Sequence, residues 1–256
     1  MSCPICAAPE SPFAEALVRG RHRARYLRCE ACGYVRVENP HWLQEAYADH
    51  ALDTGIAARN IDLAERTAAL LAWYWPDAGT CLDHGGGSGL LVRLLRDRGY
   101  DFRWRDPYCV NLFARGFEAE PGAHYAVLTA FEVIEHLPDP LASLHAWSQE
   151  ADTLILSSEL LPARDNRPGQ WSYYMPESGQ HIGFFGMPAL QALARRLDLQ
   201  LASDGRWLHV LGGRGRLPSS RFLRLLRRRR WRRWLLRRRR RATLAWSDQD
   251  LLRVRL

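Results

Sequence analysis

Three groups of residues in this 256-residue chain have types and spacings that can do chemistry. Two close cysteine pairs, Cys3-Pro4-Ile5-Cys6 and Cys29-Glu30-Ala31-Cys32, are separated by 22 residues. Four thiolates in two such pairs can close a tetrahedron on one zinc ion, leaving no position for water, so the chemistry implied is structural. Cys3, Cys6, Cys29 and Cys32 are the expected ligands, against the blander alternative of four unconnected cysteines. The second group is Asp83-His84-Gly85-Gly86-Gly87-Ser88-Gly89. Glycines at alternate positions let a backbone turn sharply and approach a ligand, as at the nucleotide site of a doubly wound sheet. The third is Phe131-Glu132-Val133-Ile134-Glu135-His136, whose acids and imidazole suit proton transfer or a divalent ion.

The elements that must position these groups follow from hydrophobic periodicity. Residues 1 to 38 alternate in short pieces, Tyr26-Leu27-Arg28 and Tyr34-Val35-Arg36-Val37, which read as small hairpins around a metal. From Pro40 to about Trp75 the pattern is helical, with Leu63, Ala64, Thr67, Leu70, Leu71 and Tyr74 at spacings of three and four. Pro76 and Gly79 stop it. A strand from Thr80 to Asp83 then enters the glycine turn, and a helix runs from Leu90 to Arg98. Further strands are expected at 102–105, 126–130 and 153–157, and helices at 110–115, 141–147 and 188–197. A late antiparallel hairpin is expected from 200–202 and 207–211. Strands alternating with helices predict an α/β fold with a mostly parallel sheet.

The spacing of the glycines discriminates between cofactors. A dinucleotide fingerprint would place Gly or Ala where this chain has Leu90. The pattern here is acidic-x-G-x-G-x-G, which resembles motif I of class I S-adenosylmethionine (SAM) dependent methyltransferases. Asp106 stands seventeen residues past Gly89, at the end of the next strand. By analogy with dinucleotide folds it would hold ribose hydroxyls, while Asp83 would accept from a ligand amino group. The alternative is a purely structural loop with Asp106 as a helix cap. Phe131 to Pro140, Phe-Glu-Val-Ile-Glu-His-Leu-Pro-Asp-Pro, is similar to the motif after the fourth strand of small-molecule methyltransferases. Trp171 to Pro176 and Gly179 to Phe185 resemble the substrate-side segment of Methyltransf_23-like enzymes.

This resemblance covers roughly residues 40 to 212, with one departure at Ala126, where the family often has Asp. It implies a Rossmann-like methyltransferase fold that binds SAM through Asp83, Gly85, Gly87, Gly89, Asp106 and Phe131. It also implies methyl transfer to a small-molecule or sugar/glycan-type acceptor. The expected organisation is a zinc-ribbon module at 1–39, the methyltransferase domain at 40–213 and an arginine-rich extension at 214–256.

Because a sulfonium methyl is already activated, transfer mainly needs the acceptor held in line behind it. For a hydroxyl acceptor a base helps, and His136 and His181 are the candidates, with Glu135 orienting. The competing reading makes both hydrogen-bonded structural histidines. On a helix, Glu132, Glu135 and His136 would share one face. Completed by His181, that face can hold a second divalent metal that polarises the acceptor. Tyr173 and Tyr174 either line an acceptor pocket or pack. Cys81 and Cys109 read as small apolar core residues.

The formal charge of +8 is uneven, since thirteen arginines and no acid fall within 221–241 and the rest of the chain carries −5. No lysine occurs anywhere, a composition bias. Arginine on every side of 221–241 argues against a buried core helix. Three readings of this segment compete: an anionic membrane contact through Trp231, Trp234, Leu235 and Leu236, a grip on nucleic-acid phosphates, or a solvated helix on the protein's own negative body, which is slightly favoured. With the zinc ribbon, the basic segment also makes an RNA methyltransferase a rival, as is a non-catalytic SAM-binding protein on nucleic acid or membrane. The chain lacks the residue order of a signal peptide and any apolar run of about 18 residues, so a cytoplasmic protein is expected, peripheral at a membrane if the tail binds one.

Overall fold

The structure, a computed structural model, describes residues 1–48, 55–164, 166–213, 215, 217–239 and 241–255. Strands β1 (Glu10–Val18) and β2 (His22–Cys29) form an antiparallel hairpin, and β3 (Val35–Val37) pairs with β2. Helices α1 (Leu43–Ala48) and α2 (Ile56–Tyr74) follow where one helical stretch from Pro40 was expected; residues 49–54 lie outside the described residues. Next come β4 (Cys81–His84), α3 (Leu90–Arg96), β5 (Phe102–Arg105), β6 (Tyr125–Phe131), α4 (Pro140–Glu150) and β7 (Ala151–Ser157). The chain continues through β8 (Gly183–Phe184), α5 (Met187–Arg196), β9 (Gln200–Ser203) and β10 (Leu208–Gly212). It ends in α6 (Ser220–Leu225), α7 (Arg229–Arg238) and α8 (Ala245–Arg255).

The main sheet has the order β5-β4-β6-β7-β10-β9. β4, β5, β6 and β7 run parallel, and β10 is antiparallel to both β7 and β9, which makes the expected late hairpin. Parallel strands covered on both faces read as nearly continuous apolar runs. Successive residues therefore feed opposite layers. Leu82, Leu128, Leu154 and Leu156 pack with α4 and α5, while Cys81, Val127, Ile155 and Val210 pack with α2, α3 and α6. α4 starts where its sequence says it should, with the Asp139 side chain accepting from Ala142 N at 2.9 Å and Pro140 in the first turn.

The N-terminal sheet has the order β1-β2-β3-β8, so its fourth strand comes from the segment between β7 and α5 of the main sheet's domain. Val35 pairs with Phe184 and Arg36 with Gly183. A Cβ at Gly183 would strike the Tyr34 hydroxyl, so glycine is required for this approach. Trp42 Nε1 donates to Gly179 O at 2.8 Å, and Val37 N donates to Ile182 O at 2.8 Å. A boundary at residue 39 thus divides the sequence but not the sheet.

Two expectations fail. Residues 110–115 form bends and a turn, not a helix. Leu112 N and Phe113 N both donate to Ser88 O (2.9 and 3.0 Å), and Asn111 Oδ1 accepts from Ala114 N at 2.9 Å. The asparagine and the glycine turn take the amide hydrogens a helix would use. The arginine-rich stretch, for its part, buries an apolar face after all: Leu223 and Leu226 are fully buried and Leu235 is 5% exposed. Arg232 is also fully buried, in ion pairs with Asp62 and Glu65 of α2, and donates to Leu226 O at 2.7 Å. No helix among the described residues is long and apolar enough to cross a membrane.

Candidate active site

The glycine turn leaves β4 with Gly87 at φ 52° and Gly89 at φ 83°, both in the left-handed region. Gly89 caps α3, and a Cβ there would meet Asn111 Oδ1 at 2.7 Å. A Cβ on Gly87 would meet nothing within 4 Å. Gly87 instead borders a cavity of about 90 Å³ together with Asp83, Gly85, Phe131 and, from α2, Arg59 and Asn60. Neither Gly89 nor Asp106 lines it. Asp106 holds the turn: Oδ2 accepts from Gly87 N at 2.8 Å, and Oδ1 from Tyr108 N and Cys109 N at 2.8 and 2.9 Å. Arg59 and Asn60 were not anticipated, because nothing in the spacing ties the first turn of α2 to the glycine turn.

Asp83 is buried at the end of β4 and accepts from the Thr129 hydroxyl at 2.6 Å. Burial pushes its carboxyl up to about 7; the charge of Asp106 adds to the rise and the Thr129 bond opposes it. A buried acid at the edge of a cavity is a ready partner for a cationic group.

The acceptor side begins where β6 ends. The expected helical face of Glu132, Glu135 and His136 does not form, because Glu132 sits at φ 55° and residues 134–136 make a single 3₁₀ turn. Glu132 turns instead to Ser157 and Trp207, whose hydroxyl and indole donate to Oε1 at 2.9 and 2.6 Å. Tyr173 directs its one hydroxyl proton at Glu132 Oε2 (3.0 Å) and at Glu135 Oε1. One proton cannot serve both carboxylates, and Glu135 is fully buried with Oε2 lacking any partner. Burial, reinforced by the charge of Glu132, pushes its carboxyl pKa well above the ordinary carboxylate range.

His136 and His181 face each other with ring centroids 4.8 Å apart. Burial, then the neighbouring His181, lowers His136 to about 3; burial also lowers His181. Both are neutral at pH 7. His181 Nδ1–H donates to the Tyr173 carbonyl at 2.6 Å, which leaves its Nε2 lone pair free. His136 Nδ1 pairs with the Tyr47 hydroxyl at 3.1 Å, and Tyr47 stacks on Tyr108 at 4.3 Å. Ligand atoms of Glu135, His136 and His181 lie within 4.8 Å of one another. Tyr174, by contrast, packs against Phe184 and donates to Asn166 O at 2.8 Å. Tyr47, Ser157 and Trp207 are site residues that no motif marked.

The four N-terminal cysteines converge, with all Sγ atoms within 4.8 Å of one another. Cys3 and Cys32 lie 3.8 Å apart and Cys6 and Cys29 3.4 Å apart, and all are free thiols. Tetrahedral zinc–thiolate bonds of about 2.3 Å put neighbouring sulfurs about 3.8 Å apart. Each pair is shaped by the same knuckle. Ala7 (φ 62°) and Gly33 (φ 69°) are left-handed, and their N–H groups return to the carbonyls of Cys3 and Cys29 at 2.9 and 3.1 Å. The Cys32 thiol bonds Cys3 and lowers it to about 5, while Cys32 itself is raised. Cys81 is buried as expected, but Cys109 is only half-buried.

The cavity at the glycine turn and the carboxylate–histidine cluster thus share the C-terminal edge of the parallel strands, where such sheets bind ligands. The order and directions of the main sheet define a Rossmann-like α/β domain. The chain belongs to the Methyltransf_23 family, described as a methyltransferase domain, whose pattern matches residues 56–204. No curated protein matches the sequence. Similar solved structures include an O-methyltransferase family 2 protein from Planctomyces limnophilus in complex with apigenin, at 16% identity, covering 67% of this chain and 65% of that one with a TM-score of 0.47. Others are the plantazolicin methyltransferase in complex with SAH (10% identity, 68% and 95% covered, TM-score 0.47) and human N-acetylserotonin methyltransferase in complex with SAM (16%, 61% and 54%, TM-score 0.44). The chain spans 65% of the length of the first and 54% of the last.

Proposed function

We propose that the protein is a SAM-dependent methyltransferase acting on a hydroxyl of a small-molecule or sugar-type acceptor. The observation that carries this reading is the shared edge. A glycine turn with a buried acid opens beside a cluster of neutral histidines and an under-partnered carboxylate, in a chain of the methyltransferase-domain family. Asp83 and the open side of Gly87 fit a cofactor bearing an ammonium group, and Phe131 offers an apolar face. Gly85 lines the same cavity, while Gly89 and Asp106 hold the turn from behind. At about 90 Å³ the cavity is smaller than the several hundred Å³ of a typical small-ligand site, so binding would require its lining to rearrange.

The bound cofactor supplies an activated sulfonium methyl. For a hydroxyl acceptor, Nε2 of His181 would accept the proton that the acceptor oxygen loses on methylation. His136, lowered to about 3, suits a ligand's role better than a base's. A second reading rests on the unpartnered Glu135 Oε2: Glu135, His136 and His181 would be the ligands of a divalent ion that lowers the acceptor hydroxyl's pKa. Cys3, Cys6, Cys29 and Cys32 would hold a structural zinc, a role supported by their sulfur spacing and knuckle turns.

The test is calorimetric titration with SAM and, separately, with NAD, on the parent chain and Asp83→Ala. SAM binding weakened about tenfold or more in the variant, with no NAD binding, is expected. A folded protein that binds no SAM overturns the proposal. Binding without transfer to any extract fraction would indicate a non-catalytic SAM-binding protein, and methylation of RNA that falls steeply with salt would indicate a nucleic-acid enzyme.

A further inference from the structure

The C-terminal extension borders a second, open cavity of about 1010 Å³ between the end of α3 and α7. Arg98, Arg233, Arg237, Arg239 and Arg241 line it. Among the described residues the one carboxylate in its wall is Asp97, already paired with Arg93 at 2.9 Å. Arg239 and Arg241 are held in place by the carbonyls of Ala72 and Pro76, at 3.2 and 3.0 Å. Arg233 and Arg237 meet no carboxylate or carbonyl among the described residues. Arg98 donates to Leu94 O at 2.8 Å, and Arg239 and Arg241 also lie over the Trp73 and Tyr100 rings at 4.9 Å, so the charge left for a ligand is chiefly that of Arg233 and Arg237, which a multiply charged anion would balance.

The wall is built, not draped. Gly99 (φ 83°) lets the chain cross, since a Cβ there would strike the Ala242 carbonyl and come within 2.8 Å of Arg241 Cβ. On one side, Arg232 locks α7 to Asp62 and Glu65. On the other, Asp248 of α8 receives Arg96 through two bonds, at 2.8 and 2.7 Å.

The surroundings indicate where the anion comes from. Trp231 and Trp234 are each 43% exposed on α7, edge to face at 5.7 Å, with Arg238 over Trp234 at 4.9 Å. On α8, Trp246 is 73% exposed and Leu251 53%. The neighbouring Leu252 packs over Gly116, which closes a segment whose Val110, Leu112 and Phe113 are also exposed. Indoles and leucines flanked by arginines suit the headgroup layer of a bilayer, whereas the phosphates of a nucleic-acid backbone give the leucines nothing.

We propose that this cavity binds the phosphate groups of anionic membrane lipids, with Trp231 and Trp234 entering the interface beside it. The site is separate from the cofactor cavity and does not depend on the methyl-transfer proposal. The test is sedimentation of the full chain with phosphatidylcholine vesicles, with and without phosphatidylglycerol, while tryptophan fluorescence is followed. Binding to anionic vesicles alone, with a blue shift, is expected. Arg233→Ala with Arg237→Ala should weaken it about thirtyfold at roughly fivefold per arginine, with an unchanged melting curve, since neither side chain meets a carboxylate or carbonyl among the described residues. Trp231→Ala should remove much of the blue shift. The proposal is overturned if the double variant binds as the parent does or if neutral vesicles bind equally. Tighter capture by duplex RNA or by free diphosphate, at equal phosphate concentration, would also overturn it.

Discussion

The N-terminal module and the C-terminal extension are both additions to the same α/β domain, and they are fastened to it by opposite means. The module is joined by backbone: β3 pairs with β8, and Ile5, Tyr34 and Phe185 enter the core cluster of α4 and α5. The extension is joined largely by charge: Arg232 to Asp62 and Glu65, and Asp248 to Arg93 and Arg96, with a few leucines beneath. The module also reaches the chemistry, because the strand it shares follows His181 directly. The extension touches α2 from behind, one turn away from Arg59 and Asn60 at the cofactor cavity. An addition that shares a strand with the core cannot be lost without disturbing the site; one held by ion pairs can be loosened with the sheet intact.

The largest effect expected is on the module. Cys29→Ser, or chelation, should cost it a metal contribution on the order of 10 kcal/mol. Hydrogen exchange should then rise across both 1–37 and 181–184, and methyl transfer should fall while SAM affinity persists. Exchange confined to 1–37 would mean that β8 does not depend on the module. Arg232→Met should cost roughly 3 kcal/mol in urea unfolding, as expected for a buried ion pair broken on one side. It should also expose 227–241 to trypsin while β1 and β2 stay protected. A tail that simply floats in solvent would lose nothing.

The smallest effect is a pH signal from the sheet between the two additions. Asp83 has its pKa raised from the ordinary carboxylate value near 4 to about 7. The native state therefore favours the protonated form. That stabilisation is complete below the ordinary value and is lost as pH rises through about 7. The thermal midpoint of the parent relative to Asp83→Asn should fall by roughly 5 °C between pH 4 and 8. A flat difference would mean that Asp83 is hydrated or paired in solution. The same signal should survive in Arg232→Met, since the tail does not touch Asp83.

Local rules made the β4–turn–α3 unit, the apolar parallel strands and the cysteine knuckles legible in the sequence. Each is set by residues a few positions apart. The rest depended on distant partners. β8 is two residues long, with no periodicity to announce it, and exists because β3 offers an edge. Glu132 leaves the helical pattern because Ser157 and Trp207 claim its carboxylate. An arginine in a basic run reads as solvated, yet Arg232 is buried because acids 167 and 170 positions away receive it. Asp106 is expected from the spacing to hold a ribose, and its three bonds to nearby backbone amides are a local arrangement that the spacing does not announce.

The shared strand also has a consequence for how the chain is born. β3 leaves the ribosome long before β8, and at about 5–20 residues per second the roughly 150 residues between them take on the order of ten to thirty seconds to translate. Through that interval the Val35–Val37 edge has no neighbour, the kind of open edge that recruits foreign strands. The nascent protein must wait for its own middle to be made before its beginning can close, and chaperone cover during that wait sets how much of it folds.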